Sequence, residues 1–345
     1  MASNSKEWNI ALNPFSNVDV CFSPEYHQVY SKLKKESEAI LWKYNDGKNY
    51  FVYPFIKTPV TISNQKKVII TNWFDISSVY GYTGPLSTTN NPGFLDDAWS
   101  SFNDFAEQES IILEFIRFSV FSKSERFAHK YTNLEFNRFV ATTNLTLLNE
   151  EIFSLLGNKT RNMIRKAIKC DYIFKELNII KHLKIFEKLY NQTMLRNNAL
   201  PKYRYDKDYF LDLLKFPKDQ IKLYGILKND ILVSACIILL NEKSSLYHLS
   251  ASLNSSSSFG IGNLLLYKAT KSLKKTGVEF LTLGGGRTTL IDDNLFRFKK
   301  SNSTHIDKYL IGKRIINKKA YNEVHRSFYS LNKSNNRDEK LIFYR

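Results

Sequence analysis

The chain has 345 residues, of which 43% are hydrophobic and 14% aromatic. This length allows two domains, and this composition excludes a largely disordered protein. Its 50 lysines and arginines against 33 aspartates and glutamates give a net charge of +17. Such an excess fits a solvated surface, a surface that attracts phosphorylated small molecules, or a nucleic-acid-binding surface.

Cysteine spacing and hydropathy narrow the class of protein further. Cys21, Cys170 and Cys236 are far apart and form no CxxC pair, so we expect no metal site. The run "ILVSACIILL" from Ile231 is too short to cross a bilayer, and the first residues contain no hydrophobic signal core. We therefore expect a cytoplasmic protein without membrane insertion.

The first half of the chain predicts a hairpin, a turn-rich loop, a helix and a buried strand. Residues 39–56 contain an Asn-Asp-Gly turn between two apolar runs, which is typical of a β-hairpin. The loop "VYGYTGPLSTTNNPG" follows, then a helix from Phe94 to Glu109 and the strand "IILEFIRF".

The second half repeats this order. Residues 222–239 form another predicted hairpin with an Asn-Asp turn, followed by "SLNSSSSFGIG", a helix over 263–277 that ends at a glycine, and the strand "FLTLG". Helical segments at 149–170, interrupted near Gly157, and at 183–197 lie between the two halves. The repeat predicts a mixed α/β fold with domains at 1–150 and 151–345.

The loop between the last hairpin and its helix contains a Gly-x-Gly at Gly260 and Gly262. A strand-to-helix turn of this kind exposes the free N–H groups of the helix start, which bind pyrophosphate oxygens well. The loop is neither a P-loop nor a dinucleotide fingerprint, because the Gly-Lys-Ser/Thr and the third glycine are missing. It is either a ligand loop or a plain turn.

Two further features bear on ligand binding. Arg161 and Arg165, in "KTRNMIRKAIK", share a helical face and either grip a diphosphate or form a solvated basic face. The glycines Gly284–Gly286 end a strand abruptly. They form a substrate-side corner, a structural sharp turn or a phosphate loop.

Four segments resemble the tandem GNAT-fold proteins of the Fem-like family. They are "SSVYGYTGPLS", "KTRNMIRKAIK", "FGIGNLLLYKA" and "FLTLGGG" with "NLFRFKKS", and they cover most of both halves in order. The GNAT loop opens with Arg/Gln-x-x-Gly-x-Gly, whereas Ser257 holds the first position here, which puts one phosphate contact in doubt. The resemblance implies two GNAT-like domains packed against each other, with acyl-CoA as the co-substrate.

The resemblance also implies site residues. The coenzyme A site would comprise Ser250, Ala251, Ser252, Ser257, Ser258, Phe259, Gly260, Ile261, Gly262 and Asn263. The substrate side would comprise Tyr80, Tyr82, Arg161, Arg165, Gly285, Arg287 and Lys299. The tyrosines serve equally well as core fillers or as stacking surfaces for a sugar or base.

Amide formation requires a group, or water, that takes a proton from the attacking amine. Among several candidates near the expected cleft, we select Asp293 and His305 as the catalytic residues. The absence of a Gly-x-Ser-x-Gly elbow disfavours a covalent serine route.

The leading hypothesis is an enzyme for surface polysaccharide biosynthesis. It transfers an acyl group from acyl-CoA to the primary amine of a dTDP- or UDP-linked amino sugar. The second is a Fem-type aminoacyltransferase that uses charged transfer RNA to extend a peptidoglycan peptide. The third is a nucleic-acid-binding or scaffold protein that retains a degenerate GNAT fold. We expect no DNA partner, and the sequence leaves the oligomeric state open.

Overall fold

The computed structural model describes residues 4–64, 67–253, 260–332 and 341–344. The chain forms two compact units. Unit 1 comprises Met1–Asn137 and Tyr309–Arg345, and unit 2 comprises Arg138–Lys308. The chain therefore returns to unit 1 at Tyr309, so these units are bounded differently from the predicted domains 1–150 and 151–345. The roles assigned to those domains stay predictions.

Unit 1 contains four described helices. They are α1 (Ser5–Leu12), α2 (Pro24–Ser31), α3 (Pro92–Gln108) and α10 (Lys318–Asn332). Its strands are β1 (Glu38–Asn45), β2 (Tyr50–Ser63), β3 (Val68–Ser77), β4 (Leu86–Ser87) and β5 (Ile111–Arg117). Two further strands, β6 (Asn133–Asn144) and β12 (His305–Ile315), cross the boundary between the units along the chain.

The sheet of unit 1 has the order β1-β2-β3-β5-β12, with β4 beside β2. The β1–β2, β2–β3 and β5–β12 pairs are antiparallel, and the β3–β5 pair is parallel. Helix α3 connects the two parallel strands. Its apolar face packs on an aromatic core that includes Trp42, Phe51, Trp99 and Phe102. Burial of each such ring contributes about 1.5–3 kcal/mol.

Unit 2 contains the remaining described elements. Its helices are α4 (Asn149–Leu155), α5 (Asn158–Ile168), α6 (Ile179–Arg196), α7 (Lys207–Leu213), α8 (Ile261–Lys274) and α9 (Asn294–Ser301). Its strands are β7 (Ile173–Leu177), β8 (Ile221–Lys228), β9 (Ile231–Leu240), β10 (Ser244–Ser252) and β11 (Phe280–Gly284).

The sheet of unit 2 repeats the pattern of unit 1. Its order is β6-β11-β10-β9-β8-β7, and the one parallel pair, β10–β11, is connected by a helix, α8. The β8–β9 turn places Asn229 and Asp230 at φ 48° and 58°, left-handed angles that these residue types tolerate. Helix α8 buries Leu264, Leu265 and Leu273 in the core.

The fold prediction is confirmed as a mixed α/β, GNAT-like structure. Both hairpins, helix α3, helix α8 and the strands β5 and β11 lie where the sequence predicts them. The helical zone over 149–170 is two helices, α4 and α5, separated at Gly157 as predicted.

Candidate active site

The parallel strands β10 and β11 separate partway along their length. They pair over only three residues, from Ser244–Phe280 to Leu246–Thr282, although β10 continues to Ser252. Just past the last pair, β10 contains a bulge opposite β9, where His248 is the extra residue. A bulge bends a strand and increases its twist. The opening is the separation of these two neighbouring strands beyond their last ladder pair.

His248, at the bulge, is hydrogen-bonded to a tyrosine of helix α7. The Tyr209 hydroxyl lies 2.7 Å from His248 Nε2, and Tyr205 stacks on Tyr209 with ring centroids 3.7 Å apart. Burial lowers the pKa of His248 to about 3. The imidazole is therefore neutral at physiological pH, and its Nε2 shares a hydrogen bond with the Tyr209 hydroxyl.

Helix α8 begins at a glycine that no other residue could replace without strain. Gly260 has φ 71°, and a Cβ there would lie 2.8 Å from Met163 Cβ in α5. No side chain among the described residues caps this helix. The N–H groups of its first turn, which includes the predicted residues Ile261, Gly262 and Asn263, have no intrahelical acceptor.

The start of α8 lies against the end of α9. Asn263 Nδ2 donates to Asn302 Oδ1 at 3.2 Å, and a Cβ on Gly262 would have ordinary contact with Phe298. The structure thus brings Gly260, Gly262 and Asn263 together with α5 and α9. Ser257, Ser258 and Phe259 lie outside the described residues.

The predicted β10 residues Ser250, Ala251 and Ser252 lie on the strand beyond the point of separation. The Ser252 carbonyl accepts from Thr193 Oγ1 at 3.1 Å and from Arg196 Nη2 at 2.8 Å, both on α6. Helix α6 therefore holds the end of β10 in place.

The three glycines at the end of β11 make a tight corner. Gly284 has φ 86°, and a Cβ on Gly285 would lie 2.8 Å from Arg138 Cδ. A Cβ on Gly286 would collide with the Asp293 carboxylate. Arg138 Nη1 also donates to the carbonyls of Gly286, at 3.1 Å, and Thr288. Of the three interpretations of these glycines, the contacts favour a sharp structural turn.

Asp293 caps helix α9. Its Oδ1 accepts from the backbone N–H groups of Leu295 and Phe296, both at 3.0 Å, and its Oδ2 accepts from Thr288 N. Burial raises its pKa, but the backbone donors outweigh burial, so the pKa lies below the usual range. This carboxylate is a weak base. Its predicted catalytic role stays a prediction.

Lys299, on α9, points into the same corner. Its Nζ donates to the Gly285 carbonyl at 3.0 Å, so these two predicted substrate residues are in contact. Burial of the ammonium group lowers the pKa of Lys299 to about 8, with Asp293 opposing and Arg138 adding to this effect. Near pH 8, about half of the molecules therefore carry Lys299 in its charged form.

The predicted arginines of unit 2 have local partners. Arg161 donates to the Ser154 carbonyl and to Asn158 Oδ1, and Arg165 donates to Asn162 Oδ1. Arg287 is exposed and donates to the Asn197 carbonyl at 3.3 Å. A diphosphate at these side chains would replace amide and carbonyl acceptors, which are weaker than phosphate oxygens.

His305 begins strand β12, and the two predicted tyrosines lie in unit 1. His305 is exposed, with Nε2 3.8 Å from Asp307 Oδ1. In unit 1, Tyr80 is exposed, and its carbonyl accepts from the Tyr26 hydroxyl. Tyr82 packs edge-on against Tyr309, and burial raises the pKa of its phenol. Tyr82 is thus partly a core residue.

Two functional candidates lacked a local sequence signal. Arg138 contacts the glycine corner from 148 residues away along the chain, and Tyr209 reaches His248 from 39 residues away. Nothing in the neighbouring sequence of either residue indicates its partner.

Comparisons with known proteins agree with this geometry. Residues 158–300 match the family described as "Acetyltransferase (GNAT) domain". That range contains α5, the separating strands, α8 and the glycine corner. No curated protein matches the chain by sequence.

Several solved structures share the fold. FemX aligns with a TM-score of 0.71 at 14% identity and covers 94% of this chain and 98% of its own. L-PGS from Bacillus licheniformis aligns with a TM-score of 0.59 at 11% identity, covering 94% and 96%. A conserved protein of Bacteroides thetaiotaomicron aligns with a TM-score of 0.58 at 10% identity, covering 90% and 98%. At these identities the likeness concerns the fold alone.

Within the described residues, no group of three or more His, Cys, Asp or Glu side chains is arranged to hold a metal ion. In the same part of the chain, no helix is long and apolar enough to cross a membrane.

Proposed function

We propose that this protein is an N-acyltransferase that moves an acyl group from coenzyme A to a primary amine. The observation that carries the proposal is the opening between β10 and β11 beside the uncapped start of α8. Both features lie within the residues that match the GNAT acetyltransferase family.

Two parts of unit 2 would hold the donor. The N–H groups at Gly260–Asn263 would bind the pyrophosphate, helped by the positive end of the α8 dipole. The thioester arm would enter between the separated strands and lie along Ser250–Ser252. Its acyl carbon would then reach the bulge at His248.

The reaction would be a direct displacement. The amine nitrogen attacks the thioester carbonyl, the C–N bond forms, the C–S bond breaks, and coenzyme A leaves as a thiolate that takes up a proton. The amine loses one proton in exchange, so charge and atoms balance. Holding both reactants in contact removes several kcal/mol from the barrier, about 7–11 at best.

The proton acceptor is proposed to be His305 or Asp293, or water. His305 is exposed and can pass a proton directly to solvent. Asp293 is bound by backbone donors, which makes it the weaker candidate. Because the pKa of His248 is about 3, that residue would orient the Tyr209 hydroxyl and not act as the base.

The acceptor is proposed to be a nucleotide-linked amino sugar, dTDP or UDP. The support is four cationic side chains of unit 2: Arg161 and Arg165 on α5, Arg287 after the glycine corner, and Lys299 on α9. Guanidinium groups bind phosphate oxygens in pairs, which suits a diphosphate. Tyr80 and Tyr82 are proposed to contact the sugar or base.

An aminoacyl-tRNA donor is the second candidate. The net charge of +17 favours it, and the similarity to FemX is consistent with it. A transfer RNA donor would make binding fall steeply with salt, because each phosphate contact releases counterions. A coenzyme A thioester makes few phosphate contacts, so its binding would fall much less.

A thiol-release assay with the full chain separates these candidates. The protein is incubated with acetyl-CoA and with a panel of UDP- and dTDP-amino sugars, with matched N-acetylated sugars as controls. We expect thiol release that requires both substrates and is absent with the blocked amines. Transfer from charged transfer RNA that is sensitive to RNase, with no thiol release from acetyl-CoA, would contradict the coenzyme A proposal.

A further inference from the structure

Two segments of unit 2 expose aliphatic side chains among basic residues: the loop that leads into helix α9, with that helix, and the end of helix α6, with the loop after it. Residues 287–300 expose Leu290 and Ile291, and residues 195–204 expose Leu195 and Leu200, each by more than half of its surface. We name these residues the leucine surface. The loops are connected by Arg287, which donates to the Asn197 carbonyl. The two segments therefore meet at this contact.

Hydrogen bonds hold these loops in position. Thr288 N and its hydroxyl donate to Asp293 Oδ2, and Arg138 binds the Thr288 carbonyl. In the second loop, Arg204 Nε donates to the Ala199 carbonyl at 3.0 Å. Leu290 and Ile291 thus sit at the tip of an anchored loop. Holding aliphatic groups in water costs free energy, which burial against an apolar phase would recover.

The charge around the leucine surface is strongly positive. The two segments contain six exposed cationic residues: Arg196, Lys202, Arg204, Arg287, Arg297 and Lys300. Only Asp292 and Asp293 oppose them, and Asp293 is bound to backbone N–H groups. A surface that combines exposed aliphatic tips with excess positive charge complements a phospholipid bilayer with anionic headgroups.

From this combination we infer that the leucine surface docks on an anionic phospholipid bilayer, with Leu290 and Ile291 entering the headgroup region and the arginines contacting lipid phosphates. Single-stranded RNA is the less suitable partner, because bases stack on aromatic rings and guanidinium planes and not on leucine or isoleucine. The inference does not depend on the proposed acyl transfer, since it rests on exposure and charge alone.

Vesicle co-sedimentation of the full chain tests this inference. The vesicles contain equal parts of phosphatidylglycerol and phosphatidylcholine, and pure phosphatidylcholine vesicles serve as the uncharged comparison. We expect binding to the anionic vesicles only. The double substitution Leu290→Ser/Ile291→Ser should lower the partition coefficient by about tenfold or more, because two buried aliphatic side chains are lost.

The matched control is Val68→Ser/Ile70→Ser on β3 of unit 1, where both side chains are similarly exposed. It should leave the partition coefficient unchanged, and neither double variant should lower the melting temperature. Three results would overturn the inference. The first is equal partitioning of both double variants, and the second is no binding to phosphatidylglycerol vesicles. The third is a gel shift with total transfer RNA that Leu290→Ser/Ile291→Ser weakens while vesicle binding is unaffected.

Discussion

In each unit a helix connects two parallel strands, β3 and β5 in unit 1 and β10 and β11 in unit 2. The two connections have the same order of elements but differ in how far the strands pair and in how the helix start is capped. In unit 1, β3 and β5 pair up to Ser77–Phe115, and the ladder is prolonged by Ser78 N bonding the Phe115 carbonyl. Thr83 N then bonds the Arg117 carbonyl at 2.9 Å. In unit 2, the β10–β11 pairing ends after three residues.

The connecting helices α3 and α8 differ in how their N-termini are capped. Helix α3 is capped by Asn91, whose Oδ1 accepts from Phe94 N at 3.1 Å, and it starts with Pro92, which has no N–H. Helix α8 starts at Gly260 without a side-chain cap among the described residues. Within the described residues, the start of α3 thus has a side-chain acceptor for one of its N–H groups, and the start of α8 has none.

The largest effect is expected from a carboxylate in the first turn of α8, compared with a carboxylate in the first turn of α3. Gly262→Asp should weaken acetyl-CoA binding by about 100-fold, because like charges forced together cost several kcal/mol. The matched control is Gly93→Asp, at the same position of α3, which should leave binding unchanged. Isothermal titration calorimetry measures both. Equal weakening by the two substitutions would show that the units are not functionally different.

Acidification should destabilise unit 2 before unit 1. Because the pKa of His248 is lowered to about 3, the stability that neutral His248 provides is complete above about pH 6.5 and is lost as the pH falls. In unit 1, burial lowers the pKa of His27 to about 4 but raises that of Asp19 to about 6. Because its pKa is raised, Asp19 stabilises the folded protein more as the pH falls, and this gain offsets the stability lost through His27.

At pH 4.5 we expect unit 2 to lose about 2 kcal/mol relative to pH 7, with little change in unit 1. Hydrogen exchange of the two units, corrected for the intrinsic rate, measures this difference. His248→Gln should abolish the loss in unit 2, and His27→Gln should leave it intact. Loss of protection in unit 1 first would contradict the assignment.

Removal of the α3 cap should have a smaller effect that is confined to stability. Asn91→Ala should lower the free energy of unfolding by about 1 kcal/mol, since one helix N–H loses its acceptor. Urea denaturation measures the loss, and acetyl-CoA affinity is the control. A reduced affinity would mean that α3 takes part in donor binding.

The smallest effect is expected at Asp293. Asp293→Asn keeps a capping oxygen, so stability should change by less than about 0.5 kcal/mol and thiol release should stay within a few-fold of wild type. Asp293→Ala is the comparison, and it should be destabilised by about 1–2 kcal/mol. Loss of thiol release in a stable Asp293→Asn protein would establish the predicted catalytic role instead.

Much of the fold could be predicted because turns and helix ends are locally encoded. The Asn229-Asp230 turn and Gly277, just after α8, each mark a boundary through their own left-handed backbone preferences. The return of the chain to unit 1 at Tyr309 could not be predicted, since it depends on β12 pairing with the distant strand β5.

The candidate site was harder to predict because its residues act through distant partners. The sequence indicates that Gly284–Gly286 form a corner, but only the structure shows that Arg138 and Asp293 fill it. In the same way, His248 is one histidine among six until Tyr209 is placed against it.

The central claim is that unit 2, and not unit 1, holds the acyl donor. Backbone hydrogen exchange of the full chain with and without acetyl-CoA tests it most directly, because the proposed contacts are N–H groups. We predict slower exchange at Ile261–Asn263 and along Tyr247–Ser252, with no change over Pro92–Leu95. Slower exchange at the start of α3, or none at the start of α8 under saturating acetyl-CoA, would contradict the claim.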